Sequence, residues 1–134
     1  MTQISTETQL CRYTRLDSGV HCFVFENSSR VSFDQFMDKL STVTESSSPD
    51  KPLLVLLDWR LSGLPPLRYA FQKSQAYMKR FPNYSGGKTA YLYRMGTLIT
   101  LAQSFVNLLH AKASGRFFAE DQQEAAIRWL LEKE

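Results

Sequence analysis

Apolar positions in the second half of the chain fall into three short runs, each followed by a stretch with helical spacing. The run 53–57 is apolar throughout and is bounded by Pro52 and Asp58; a helical pattern follows from Pro65 and Pro66, residues suited to a helix's first turn. The run 89–93 precedes the helical stripe 98–109, and Arg116, Phe117 and Phe118 precede a last helical stretch over 120–131. A short apolar run between turn residues fits a strand covered on both faces. Strands alternating with helices predict a parallel sheet with covering helices, an α/β fold.

The first half begins differently. Residues 10–16 form a moderately polar strand of the kind found near a sheet edge. Residues 19–26 are apolar on both alternating faces, with Val20, Cys22 and Val24 on one and Phe23 and Phe25 on the other, so this strand belongs inside the sheet. A turn at Asp17, Ser18 and Gly19 joins the two as an antiparallel hairpin. With Asp17 and Ser18 at its centre, Cys11 would face Val24 and Cys22 would face Tyr13. Ser32 followed by Gln35 has capping-box spacing, with Val31 and Phe36 placed for a staple and Asp34 in the first turn. Phe33, Phe36, Met37, Leu40 and Val43 then mark the helix's inner face. The second helix turns Leu67, Ala70, Phe71, Tyr77, Met78 and Phe81 inward. The third carries Leu98, Leu101, Ala102, Phe105, Leu108 and Leu109, with Ile99 and Val106 off that stripe. Apolar groups beyond one face suit deep burial or a partner, so a homodimer through this helix is expected. The last helix packs Ala126, Trp129 and Leu130 inward and holds Glu120 and Asp121 in its first turn.

At 134 residues the chain is long enough for one domain with a proper core, expected over 10–134 behind a frayed tail over 1–9. Its 43% hydrophobic and 22% charged residues fit a soluble protein. Sixteen basic and thirteen acidic residues leave a net charge of +3, and the basic ones are scattered, unlike the concentrated stripe of a nucleic-acid binder. No stretch is apolar over the roughly 20 residues a membrane span needs. A disulfide needs Cα atoms within about 7 Å. The expected hairpin register sets Cys11 and Cys22 on a diagonal, so reduced thiols and a cytoplasmic setting are expected.

Motifs for nucleotide binding, nucleophile elbows and paired thiols are absent. His21 reads as a strand residue satisfied locally and His110 as a cation at a helix end; no metal site, cofactor or catalytic residue is assigned. Asp58, at the end of a buried strand, is the one carboxylate placed for general-base work, but no proton-transfer partner accompanies it in the sequence.

The order of hairpin, helix, strand, helix, strand, helix, strand and helix resembles the SpoIIAA-like superfamily, which includes the bacterial STAS domains. The resemblance is carried by Leu53-Leu54-Val55-Leu56-Leu57-Asp58 and by Phe117-Phe118 running into the helix through Leu130. It implies a mixed sheet of about five strands, an N-terminal antiparallel hairpin followed by right-handed βα units, and four helices. Antagonists of this family carry Asp-Ser-Ser-Gly-Leu after the central strand, and the first Ser takes a phosphate. Here Arg60-Leu61-Ser62-Gly63-Leu64 stands in that place. Ser62, Gly63 and Leu64 match; Arg60 replaces the Asp and Leu61 the phosphoacceptor, so the usual switch has no hydroxyl to act on.

Ligands in open α/β sheets favour the crevice at the strands' carboxyl ends. The candidate site there is a rim of Arg60, Ser62, Arg94 and Thr97, suited to a protein partner or a small anionic ligand. The leading reading is a non-catalytic cytosolic STAS-like binding module. The alternative is a peripheral lipid or apolar-ligand binder using Tyr69, Tyr77, Phe81, Tyr84, Arg68, Lys79 and Arg80. The second alternative is a small enzyme using Asp58.

Overall fold

The computed structural model describes residues 9–48, 50–82, 87–94 and 114–132. Its elements are β1 (Cys11–Arg15), β2 (His21–Phe25), α1 (Arg30–Ser46), β3 (Leu54–Asp58), α2 (Leu67–Arg80), β4 (Lys88–Tyr93), β5 (Ser114–Ala119) and α3 (Gln123–Leu131). The strands form one five-stranded sheet in the order β1-β2-β3-β4-β5. β1 pairs antiparallel with β2, and every later neighbour is parallel. This is the mixed α/β sheet that the sequence predicts. Among the described residues there are three helices rather than the expected four. The stretch 98–109, expected as a helix and dimer surface, lies outside the described residues, as do Tyr84, Thr97, His110 and the expected tail except Gln9.

Both faces of the sheet are buried, which explains why its middle strands read as continuous apolar runs. On one face Phe23, Phe25, Val55, Leu57 and Tyr91 pack with Phe33, Phe36, Met37 and Leu40 of α1. On the other, Val20, Leu56, Ala90, Leu92 and Phe118 pack against Ala126 and Leu130 of α3. β3, third of five, divides its side chains between the two cores: Val55 and Leu57 enter the first, Leu56 the second.

The hairpin register differs from the expected one by a single residue. Cys11 pairs with Phe25 and Thr14 with Cys22. The turn spans three residues, not two: Leu16 N donates to Val20 O at 2.9 Å and Gly19 N to Leu16 O at 2.9 Å, with Gly19 at φ +95°. Glycine adopts that conformation without a Cβ clash. Because side chains alternate along a strand, the slip moves Cys11 onto the α1 face while Cys22 stays on the α3 face. The sheet separates the two thiols, and both are free. Burial, with a smaller contribution from Cys22, pushes the Cys11 thiol from its ordinary 9.0 up to about 12.

α1 starts one turn earlier than the capping-box spacing suggests. Ser29 is the N-cap, and its Oγ accepts from Ser32 N at 3.1 Å. Asn27 Oδ1 in turn accepts from Ser29 N at 3.0 Å and Ser29 Oγ at 2.7 Å, which fixes the cap. Ser32 is fully buried within the helix and donates to the carbonyls of Asn27 and Ser29. Gln35 closes no box; its Oε1 accepts from Leu10 N at 2.7 Å and Cys11 N at 3.0 Å, stitching the start of β1 to the helix. Asp34 falls beyond the first turn and Val31 is exposed, so neither plays its expected part. At the other end of the chain Glu120 and Asp121 form a turn before α3, leaving Glu124 as the acid of its first turn.

α2 has no buried residue and is joined to α1 by polar contacts. Tyr77 OH meets Thr44 Oγ1 at 2.6 Å, Tyr69 OH donates to Asp34, and Arg80 pairs with Glu45. α3 is held at its C-terminus by the buried Lys88, whose Nζ donates to Trp129 O at 2.9 Å and Glu132 O at 3.0 Å while standing over the Trp129 ring. A cation at the last carbonyls of a helix is favoured by the dipole and satisfies acceptors that the helix leaves open.

Two measurements test this account. Ser29→Ala should cost about 0.5–2 kcal/mol in urea denaturation through loss of the cap; an unchanged midpoint would place the helix start elsewhere. The Cys11 thiol gives an alkaline signature. Above pH 9 the unfolded chain releases this proton while the folded chain keeps it, so stability falls between pH 9 and pH 12. Cys11→Ala is destabilised at pH 8 by its cavity but lacks this pH-dependent loss. Its deficit against wild type should therefore narrow by roughly 1–2 kcal/mol at pH 10.5; a constant deficit would contradict the burial of the thiol.

Candidate functional site

The carboxyl end of β3 carries the densest polar geometry among the expected rim residues. Asp58 ends the strand on the α3 face, its side chain only 10% exposed. Arg60 folds back over it. Its Nε donates to Asp58 Oδ1 at 2.9 Å and its Nη2 to Oδ2 at 2.6 Å, a two-point fork, and its backbone N–H donates to Oδ1 at 3.0 Å. The same guanidinium reaches across to the turn before α3, donating to Glu120 O at 3.0 Å and Gln123 Oε1 at 2.7 Å. The hydrogen bond to Asp58 is the main reason the Arg60 pKa lies above its ordinary value. The planar fork matches a carboxylate as a lysine could not. Both Asp58 oxygens are thereby occupied, and Arg60, its side chain 31% exposed, is paired with that carboxylate rather than presented as a bare cation.

The segment after Asp58 is a closed turn. Trp59 N donates to Leu92 O at 2.9 Å, extending the contact with β4, and Gly63 N donates back to Trp59 O at 2.9 Å. Gly63 sits at φ +74°, a conformation glycine takes without strain. Ser62 Oγ donates to Gly63 O at 2.8 Å, so its hydroxyl faces its own backbone. Leu61 stands at the apex, 62% exposed. Leu64 then packs back on the first core and Pro66 caps α2.

Arg60 and Ser62 thus lie in one turn but face different groups, Arg60 toward Asp58 and the start of α3, Ser62 toward the Gly63 carbonyl. Arg94 follows the end of β4, two residues beyond the Leu92 that receives Trp59 N; Thr97 lies outside the described residues. The contacts of Arg60 with Glu120 and Gln123 were not legible from sequence spacing, since 60 or more positions separate the partners. The exposure of Leu61 carried one available signal, its place in a segment rich in turn residues. His21 is buried, with Nδ1 2.7 Å from Tyr13 OH; burial and Arg15 lower its pKa. Burial also raises the Cys22 thiol, aided by Asp58 and opposed by Arg60. Among the described residues no cluster of His, Cys, Asp and Glu could hold a metal ion, and no helix is long and apolar enough to cross a membrane.

No protein-family model matches the chain, and no curated protein matches it. Among solved structures, it is similar to an uncharacterized protein of the DUF3478 family from Shewanella loihica PV-4, which has a SpoIIAA-like fold. The two share 16% identity with a TM-score of 0.59, over 96% of this chain and 99% of the other. The chain therefore has the SpoIIAA-like fold.

The Arg60 fork should contribute to stability. Arg60→Met leaves a largely buried carboxylate with only a backbone donor, and should cost about 1–3 kcal/mol. Asp58→Leu, Arg60→Met should cost clearly less than the sum of the single variants. Additive losses in chemical denaturation would show that the two side chains do not depend on each other.

Proposed function

We propose that this protein is a cytosolic, non-catalytic STAS-like module that binds a protein partner at the carboxyl end of β3. The observation that carries the reading is the turn from Trp59 to Gly63: hydrogen bonds to β4 and within the turn hold its backbone, the Arg60 fork ties it to α3, and Leu61 stands 62% exposed at its apex. An apolar side chain held out on a preorganised loop loses little freedom on binding, which favours its use as an interface anchor. Leu61 stands where the resembling antagonists carry the phosphoacceptor, so partner binding here would not be switched by phosphate at that position. Arg94, exposed just after the end of β4, belongs to the proposed rim. Asp58 is poorly suited to act as a base, because protonating it would mean giving up hydrogen bonds from Arg60.

Immobilised wild-type protein should retain a partner from a lysate of its source cells, and Leu61→Glu should lose it while staying within about 0.5 kcal/mol of wild-type stability. Val31→Glu, at another exposed apolar position, should retain it. Equal capture by Leu61→Glu and wild type would remove the turn as the contact surface.

A further inference from the structure

β1 is an outer strand of the sheet, and among the described residues it pairs with β2 alone. In an antiparallel pair, alternate residues turn both backbone groups toward the partner strand and the others turn theirs away. Glu26 N donates to Leu10 O at 2.7 Å and Leu16 N to Val20 O at 2.9 Å, so the even-numbered residues face β2. Cys11, Tyr13 and Arg15 therefore turn their N–H and C=O groups outward. At Cys11 these groups are taken: Gln35 Oε1 accepts from the N–H at 3.0 Å, and Gln9 Nε2 donates to the carbonyl at 3.4 Å. At Tyr13 and Arg15 the outward N–H and C=O groups have no hydrogen-bond partner among the described residues. Two donors and two acceptors thus lie in a row on one edge, the pattern that accepts a further strand.

The side chains along this edge indicate what kind of strand. Arg15 and Lys39 are exposed, and Lys39 Nζ stands 4.7 Å from the centre of the Tyr13 ring. Both lie on the α1 face, beside the two open residues. Arg12, on the opposite face, is paired with Glu26 at 2.9 Å and adds no net charge there. Asp17, in the turn beyond Arg15, is the nearest acid in sequence and leaves the two cations in excess. A second copy using the same open residues would set the Arg15 of one chain opposite the Tyr13 and beside the Lys39 of the other. Cation would meet cation, which is how basic edges discourage self-pairing. An acidic strand would place a carboxylate opposite each cation.

We propose that the β1 edge binds an extended acidic segment of a partner protein by strand addition. The segment pairs with the outward N–H and C=O groups of Tyr13 and Arg15. Its residues alternate: Asp or Glu on the α1 face meets Arg15 and Lys39, and small or β-branched residues on the other face lie beside Thr14. Main-chain bonds supply affinity that is blind to sequence, and the two cations supply the choice of partner. Gln35 closes the edge at Cys11 and the turn after Leu16 closes its other end, so a short segment suffices.

The probe is the acetylated and amidated peptide Thr-Glu-Val-Glu-Val-Glu-Thr, and its control carries Lys in place of each Glu. In the ¹⁵N-labelled full chain, the amides of Arg12 and Thr14 are bonded to β2 and exchange slowly with solvent, whereas those of Tyr13 and Arg15 exchange fast. The acidic peptide should shift the Tyr13 and Arg15 resonances with saturation and slow their exchange. The lysine peptide should bind at least about five-fold more weakly. Arg15→Pro removes only an outward N–H, a change that an edge strand tolerates, and should weaken binding beyond the loss seen in Arg15→Ala. Unmoved Tyr13 and Arg15 amides, or equal affinity for the two peptides, would overturn the proposal. So would protection of these amides that rises with protein concentration in the absence of peptide, because the occupant would then be a second copy. The wild-type titration decides the matter even if Arg15→Pro does not fold, and its outcome is independent of partner capture at Leu61.

Discussion

β3 has to be covered on both sides, and the rest of the architecture follows from that constraint. Val55 and Leu57 point into one core while Leu56 points into the other, so helices are required on both faces. Its backbone pairs with β2 on one side and β4 on the other, which leaves no open edge at the centre of the sheet. Burying a large aliphatic side chain contributes about 1.5–3 kcal/mol, so these inward residues outweigh any surface ion pair in the molecule. The helices differ in how they meet the demand. α1 supplies a dense aromatic and aliphatic stripe; α3 supplies small and branched residues and is secured by Lys88; α2 is tethered to α1 largely through hydroxyls and charges.

The same strand places polar chemistry at its end. A carboxylate at the edge of a buried strand needs a partner, and Arg60 provides one within two residues while spanning to the turn before α3. Exposed pairs such as Lys73 with Asp34 add little. The Asp58 fork is different, because it is largely shielded from water and links β3 to α3. Its consequence is mechanical: the turn after β3 is fixed at both ends.

The sequence alone determined what local periodicity encodes. Uninterrupted apolar runs marked β3 and its neighbours, because strands covered on both faces need apolar side chains at every position. Helical stripes marked α1 and the inner face of α3, and the run 53–58 together with Phe117-Phe118 and the helix after them carried the resemblance to the SpoIIAA-like fold. Tertiary structure decided what depends on one residue of register or on distant partners. A third turn residue at Gly19 rather than two moved Cys11 to the opposite face. Ser29 displaced Ser32 as the cap because Asn27 could brace it, and Gln35 was drawn to β1, whose first backbone donors lay within reach. Arg60, legible as a rim cation, became an internal clamp because folding brought Glu120 and Gln123 beside it. The open N–H groups of Tyr13 and Arg15 are likewise a property of pairing: a sequence shows which donors a chain carries, but only the assembled sheet shows which of them has been left without an acceptor.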